Sequence, residues 1–462
     1  MADGTTGGLT IPDRYRPAAP VPPRGRIGLL KLWRLVRDNP IAAFPAHVYE
    51  QPVARLTNRA PGPLIVSDPA AIERICVSNA GNYIRGEFQQ RRVRPLLGNG
   101  LLTAEGDAWR TGRQAANPAF TPRLLKPWLA AVRAGAAGLS DDWSREPPNQ
   151  AIDIFMPFLK MSFDIISEYG FSGDFDGAHP TIHRHMEDYF RVQGKVDIPT
   201  MLKFPPAIPS LATIRSRASV KALSQIVDRV IERRRAAPRS HDEGDLLDRL
   251  LAAKPSKNAQ DGFVRDNVLA IILTGHETSA AALAWAIYLL ACFPWASDRL
   301  AGEVSSVAPD DLADPDTLNR LTFTRCVMDE ALRLYPPAPF FSRRAVGPDE
   351  IGGERIRGGD EIIISPWVVH RHRMLWDEPD LFAPERFQNR GRRTIPRGAY
   401  IPFGAGPRVC IGQAFATYEL LLMLATIGSR FRFALPEGAV VEPLARITLQ
   451  PRGGLRLRIA PR

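Results

Sequence analysis

Between Asp266 and Phe293 apolar residues occupy nearly every face of a helical wheel: Val268, Leu269, Ile271 and Ile272, then Ala280 to Cys292. A helix that is apolar all round belongs inside a core rather than on it. At about 1.5 Å per residue it would cross roughly 40 Å, the width of a whole domain. Pro294 marks its end. Helical spacing also predicts Ile27–Arg37, a segment from Trp109 onward, Leu124–Asp141, Ile152–Tyr169, Ile214–Arg235, Arg325–Leu334 and Gln413–Ile427. Asp68-Pro69 supplies a cap and a first-turn proline for a helix through Ser78. Strand signals are short. Val53–Asn58 and Leu64–Val66 flank the turn Ala60-Pro61-Gly62-Pro63, Glu350–Ile356 surrounds Gly352-Gly353, and Glu361–Ser365 follows. Ile447–Ile459, broken by Gly453-Gly454, reads as a terminal hairpin. The pattern predicts a mainly α chain with small β-sheets.

No repeat, low-complexity tract or Gly/Ser linker divides the 462 residues, so one large domain is expected. A loose, Gly/Pro-rich tail over residues 1–25 precedes a domain over residues 26–462. The polar stretch Ala236–Gly262 reads as a surface loop within that domain. Ala280–Phe293, the longest apolar run, is too short to span a bilayer. Nothing near Met1 has the profile of a signal peptide. No transmembrane anchor and a cytoplasmic location are therefore expected.

The chain carries 60 Lys and Arg against 49 Asp and Glu, a net charge of +11. No nucleic-acid module accompanies the surplus, so no nucleic-acid partner is expected. Most of it reads as solvated surface. Cys76, Cys292, Cys326 and Cys410 are widely spaced, which argues against a disulfide framework and a structural zinc site and fits a reducing compartment.

The most informative stretch is Phe403-Gly404-Ala405-Gly406-Pro407-Arg408-Val409-Cys410-Ile411-Gly412. A cysteine that binds iron as thiolate needs donors and positive potential around it. The backbone beside a flat macrocycle must come close, which Gly404, Gly406 and Gly412 permit. Phe403 can shield the sulfur. Arg408 can grip an anionic edge with two parallel N–H groups. A helix starting near Ile411 would aim its free N–H groups at Cys410.

This loop resembles the haem-binding signature of the cytochromes P450, Phe-x-x-Gly-x-Arg-x-Cys-x-Gly, at every fixed position. The resemblance implies the P450 fold, with haem b (iron protoporphyrin IX) held between the long central helix and the cysteine loop. Thr274-Gly275-His276-Glu277-Thr278 resembles the family's oxygen-activation motif. There Gly275 would widen the groove for O2, Thr278 would hydrogen-bond the bound oxygen and Glu277 would relay protons. Thr274 stands where that motif usually has Ala. Glu330-Ala331-Leu332-Arg333 and Arg386 of Pro384-Glu385-Arg386-Phe387 resemble the family's structural charge triad. Trp109 and Arg113, one helical turn apart, would contact a haem propionate. Arg343 would contact a propionate too, with Arg344 as the neighbouring alternative. His370 would lie near the haem edge.

What this implies is a haem-thiolate monooxygenase that hydroxylates an apolar substrate with O2 and two electrons. No flavin or iron–sulfur segment is recognisable, so a separate ferredoxin or similar protein is expected as electron donor. Arg390, Arg392, Arg393 and Arg397, with Arg110, would form its basic docking patch. The competing readings are a haem-thiolate enzyme driven by peroxide or needing no reductant, and a non-catalytic haem sensor. The pair Glu277 and Thr278 speaks against the former. No effector segment is visible for the latter.

Overall fold

The computed structural model describes residues 16–25, 27–56, 63–121, 124–193, 211–238, 244–255, 262–388 and 393–462. Its principal helices are α1 (Leu29–Asp38), α2 (Glu87–Leu97), α3 (Gly106–Ala116), α4 (Leu125–Ser144), α5 (Phe155–Phe171), α6 (His179–Gln193), α7 (Leu211–Ala236), α8 (Leu246–Ala252), α9 (Phe263–Cys292), α10 (Pro294–Val304), α11 (Thr322–Leu334) and α12 (Gln413–Arg430). The strands are β1 (Val53–Arg55), β2 (Leu64–Val66), β3 (Tyr83–Arg85), β4 (Ala151–Asp153), β5 (Phe341–Ala345), β6 (Asp349–Ile351), β7 (Glu354–Ile356), β8 (Glu361–Ile364), β9 (Phe431–Ala434), β10 (Pro443–Ala445), β11 (Leu449–Pro451) and β12 (Arg456–Pro461).

Helix α9 is the axis of the molecule. Every residue from Ala280 to Leu290 is buried, and α5, α7, α11 and α12 pack around it. Among the described residues it is the one helix long and apolar enough to cross a membrane by length and composition, and 83% of its most apolar window is buried within the protein. Its apolar character is therefore satisfied by other helices. The strands form a five-stranded sheet in the order β1-β2-β8-β5-β3, a three-stranded sheet β4-β12-β9, and the pairs β10-β11 and β6-β7. Within the large sheet β2 and β8 run parallel, with Leu64 beside Ile362.

Several expectations need correction. The terminal segment is not one hairpin. β11 pairs with β10, whereas β12 lies between β9 and β4. Gly453 and Gly454 do turn the chain, at φ 77° and 90°, but the turn hands it to a different sheet. The alternation of β12 then buries Leu457 and Ile459.

The stretch expected as a surface loop contains α8. Asp245 caps it and Asp248 returns the bond, while Leu246, Leu247 and Leu250 are buried. Arg234 bonds Asp174, Asp245 and Asp248 at 2.6, 2.8 and 2.9 Å. Residues 239–243 and 256–261 lie outside the described residues.

The tail expected over residues 1–25 is anchored in its second part. Pro17 is buried, the Tyr335 hydroxyl donates to the Ala18 carbonyl at 2.8 Å, and the Ala18 N–H donates to Tyr288 at 3.2 Å. Residues 1–15 lie outside the described residues, as do residues 57–62 of the first hairpin turn.

Candidate active site

A cavity of about 340 Å³ separates α9 from the loop that carries Cys410. Ala270, Ile271, Thr274, Gly275, Thr278 and Ser279 line it from α9. Phe403, Gly404, Arg408, Cys410 and Gly412 line it from the loop. Residues far apart in sequence thus share one chamber because α12 starts directly after the loop and packs along α9.

The loop is built by backbone bonds. The Cys410 N–H donates to the Phe403 carbonyl at 3.0 Å, and the Val409 N–H to the Gly406 carbonyl at 3.0 Å. Cys410 is exposed to the cavity yet lies deep in the protein. Burial pushes its thiol up; the Gly412 N–H and the Arg113 guanidinium pull the other way without cancelling that effect. The metal-free thiol is therefore held protonated, and an iron ion would have to supply the missing positive charge.

The three loop glycines serve different ends. Gly404 sits at φ 78° with open space where a Cβ would be. Gly406, at φ 72°, backs onto Cys76, where a Cβ would come within 1.8 Å of the carbonyl oxygen. Its close approach is to the protein and not to a macrocycle, which corrects the expectation. Gly412 has φ −89°, and a Cβ there would meet Phe120 at an ordinary 3.7 Å. Gly275 lines the cavity, and its missing Cβ also lets α9 lie against Ile166, 3.4 Å from where that atom would be.

Guanidinium groups crowd one side of the chamber. Arg408 lies over the Trp109 ring at 4.1 Å, donates to the Ala104 carbonyl at 2.7 Å and pairs with Glu105. Arg343 lines the cavity and is buried, with one bond to the Ser342 carbonyl at 3.2 Å. Arg344 does not line it; it faces Glu87 at 3.9 Å. Arg113 donates to the Val409 carbonyl at 2.8 Å, beside Cys410.

Sequence reasoning missed Arg85. It lines the same cavity from β3, and its buried Nε has no partner. Burial, then the Arg343 and Arg408 charges, push it down to about 9. Three guanidiniums against the one carboxylate of Glu105 leave two positive charges. Two propionates carry two negative charges, so the cradle fits a haem edge in number and in unsatisfied donors.

Along α9, the Thr274 and Thr278 hydroxyls each donate to a carbonyl one turn back, at 2.6 and 2.7 Å. Glu277 is buried and lines a chamber of about 40 Å³ together with Thr278. It accepts from Thr448 at 3.0 Å and from Gln450, and burial pushes its carboxyl up to about 7. Glu419 of α12 was also missed. It lines the cavity, accepts from Ser279 at 3.2 Å, and is pushed by burial up to about 8. Its only sequence signal is a carboxylate in an otherwise apolar run, Tyr418 to Leu424.

The charge triad forms as expected. Arg333 bonds Glu330 at 2.6 and 2.8 Å, Arg386 joins it at 3.2 Å, and the first two side chains are fully buried. Arg333 also donates to the carbonyls of His370, Pro379 and Leu381. His370 itself does not line the cavity. Its two ring nitrogens are spent on the Arg333 carbonyl at 3.2 Å and the Ile401 N–H at 2.9 Å. That corrects its assignment to the haem edge: it braces the segment leading into the cysteine loop.

The family model described as Cytochrome P450 matches residues 34–456. The chain belongs to the cytochrome P450 family. Cyclooctatin synthase of Streptomyces melanosporofaciens is 31% identical over 402 residues, 85% of each chain. The chloroplastic protein LUTEIN DEFICIENT 5 of Arabidopsis thaliana is 31% identical over 442 residues, 89% of this chain and 72% of that one. A bifunctional cytochrome P450/NADPH–P450 reductase of Bacillus cereus is 28% identical over 457 residues, 95% of this P450 and 42% of that protein. As a member of the family this P450 is an oxidoreductase, a monooxygenase that binds haem b.

Proposed function

We propose that this P450 hydroxylates a neutral, apolar substrate, with Cys410 as the iron ligand and electrons from a separate ferredoxin-like protein. The observation that carries the reading is that Cys410 and the Thr274–Ser279 turn of α9 open into one cavity. When bound, haem b with a thiolate ligand supplies the oxygen activation, and the thiolate pushes electron density toward O–O cleavage. Arg85, Arg343 and Arg408 hold the propionates, Trp109 stacks on Arg408, and Arg113 fixes the backbone at Val409. Phe403 and Gly404 keep water from the sulfur and leave room for the ring. Thr278 would offer its hydroxyl as a hydrogen-bond donor at the cavity wall, and Glu277 would supply protons on that side of the chamber.

The substrate class follows from charge. The cradle's surplus matches the propionates, so no cation remains in it to recognise an acidic substrate. Much of the rest of the wall is apolar, with Leu101, Leu102, Ala270, Ile271, Phe340 and Ile447. One relative, 31% identical over 348 residues, is a cyclooctat-9-en-7-ol 5-monooxygenase, which agrees with a neutral hydrocarbon-rich substrate.

For the electron donor, Arg393 and Arg397 are exposed, whereas Arg390 and Arg392 lie outside the described residues. Arg110 is exposed but paired with Asp107. A cytoplasmic location suits a partner of this kind. The decisive experiment compares product formation by ferredoxin, its reductase and NADPH with product formation by peroxide alone, across a panel of neutral terpenoids and aromatics. Product from the ferredoxin system supports the reading. Product from peroxide alone favours the peroxide-driven alternative, and a reduced protein without the thiolate-type band under carbon monoxide sinks it.

A further inference from the structure

One residue of α9 stands apart from its neighbours. From Val268 to Leu290 every other residue is buried or half-buried, and Thr274 is exposed. The helix runs through the core, so this exposure is to the interior. Thr274 lines the main cavity and also the chamber of about 40 Å³ that Glu277 and Thr278 share. Among the described residues, none of the cysteine loop bounds that smaller chamber. Thr274 therefore reaches space that the loop does not.

The hydroxyl there is half used. It donates its hydrogen to the Ala270 carbonyl at 2.6 Å. A hydroxyl has one hydrogen and two lone pairs, so what Thr274 still offers is an acceptor. The neighbouring polar side chains are engaged otherwise. Glu277 accepts from Thr448 and Gln450, and Gln450 also donates to Thr448. The Tyr189 hydroxyl is buried and donates to the Arg92 carbonyl at 2.7 Å. Leu102, Phe190 and Ile447 add apolar surface to the same chamber.

We propose that Thr274 selects a substrate whose polar group is a hydroxyl, by accepting that hydroxyl's hydrogen bond while the hydrocarbon skeleton lies on Leu102, Phe190 and Ile447. Thr274 is then a specificity-determining residue. The inference deepens the proposed function and rests on its reading of this cavity as the substrate chamber. The preference has a direction. An alcohol that leaves water for this wall keeps a partner for its hydrogen. A ketone of the same skeleton finds a donor in Thr274 only if the bond to Ala270 is given up. A bare hydrocarbon brings nothing that the acceptor can bind. One neutral hydrogen bond of this kind changes an affinity by roughly two- to tenfold.

The test uses the full-length, haem-loaded protein and two matched sets of probes. One is cyclododecanol, cyclododecanone and cyclododecane; the other is 4-phenylcyclohexanol, 4-phenylcyclohexanone and phenylcyclohexane. Equilibrium dialysis gives the affinity of each probe for the wild type and three variants. Thr274→Val keeps the shape and removes the hydroxyl, Thr274→Ala is a second hydroxyl-free variant, and Thr274→Ser keeps the hydroxyl. The alcohols should bind Thr274→Val and Thr274→Ala roughly two- to tenfold more weakly than the wild type. The ketones and hydrocarbons should hold or gain affinity in Thr274→Val, and Thr274→Ser should retain the alcohols. Equal changes for alcohol, ketone and hydrocarbon in Thr274→Val overturn the proposal. So does a Thr274→Ser variant that loses the alcohols as Thr274→Val does, or a wild type that takes up neither alcohol. Failure of the proposed function is separate: it appears as absent thiolate-type absorption or absent turnover, and the dialysis comparison needs no turnover.

Discussion

Ser279 of α9 donates to the carboxyl of Glu419 on α12 at 3.2 Å, and this bond joins the central helix to the helix that follows the cysteine loop. The carboxyl is buried, and burial raises it from 4.5 to about 8. In the folded protein it is protonated where the unfolded chain is not, so folding takes up a proton between those values. Stability on this account falls as pH rises from about 4.5 through about 8. Glu419→Gln keeps the hydrogen bond and removes the titration. Melting temperatures of the haem-loaded variant from acid to mildly alkaline pH should decline less than those of the wild type. Parallel curves would show that Glu419 is not the group responsible.

On the acid side the sign is opposite. Burial lowers His276 from 6.5 to about 4 and His370 from 6.5 to about 3. The unfolded chain binds protons that the folded one refuses, so stability is lost as pH falls below about 6.5. His276→Gln should flatten that loss. Acid unfolding followed by tryptophan fluorescence reads it directly.

The Arg85 guanidinium should matter for cofactor retention more than for folding. A charge-assisted hydrogen bond contributes about 1.5–3 kcal/mol, and about 1.4 kcal/mol is a tenfold change in an equilibrium constant. Arg85→Met should speed haem loss to apomyoglobin by roughly tenfold or more. Arg344→Met, outside the cavity, should leave the rate unchanged. Equal rates for wild type and Arg85→Met would remove Arg85 from the propionate cradle.

Two loop glycines should respond differently to the same methyl group. Gly406→Ala places a Cβ against the Cys76 carbonyl and strains a residue at φ 72°. That should cost at least about 1–3 kcal/mol and lower both melting temperature and haem content. Gly412→Ala meets only Phe120, at 3.7 Å, and should fold and bind haem almost normally.

Removing one partner of the buried triad should be severe. Glu330→Gln leaves Arg333 without its counter-charge in a fully buried position, at a cost of about 3–5 kcal/mol. Arg386→Gln removes a partner whose side chain is 14% exposed, and should cost less. Thermal denaturation of the two variants orders them.

Much of this P450 was legible along the chain because local chemistry carried it. The all-round apolarity of α9 announced a core helix, and the spacing about Cys410 announced the family's cysteine loop. Glu330 and Arg333 are a helical turn apart, so their pairing needed only that α11 form. What stayed hidden depended on neighbours distant in sequence. Arg85 looks like any strand residue until β5 and the cysteine loop place Arg343 and Arg408 beside it. Glu419 looks like a surface acid until Ser279 covers it.

Period, spacing and turn chemistry are properties of short segments, and they determined the helices, the cysteine loop and the axis of the fold. Which face of a residue meets which distant partner is decided only when the chain closes on itself. Packing and lost hydration then set the charge on Glu277 and Glu419, turned His370 onto backbone rather than cofactor, and sent β12 into a sheet with β4 and β9 instead of back along β11.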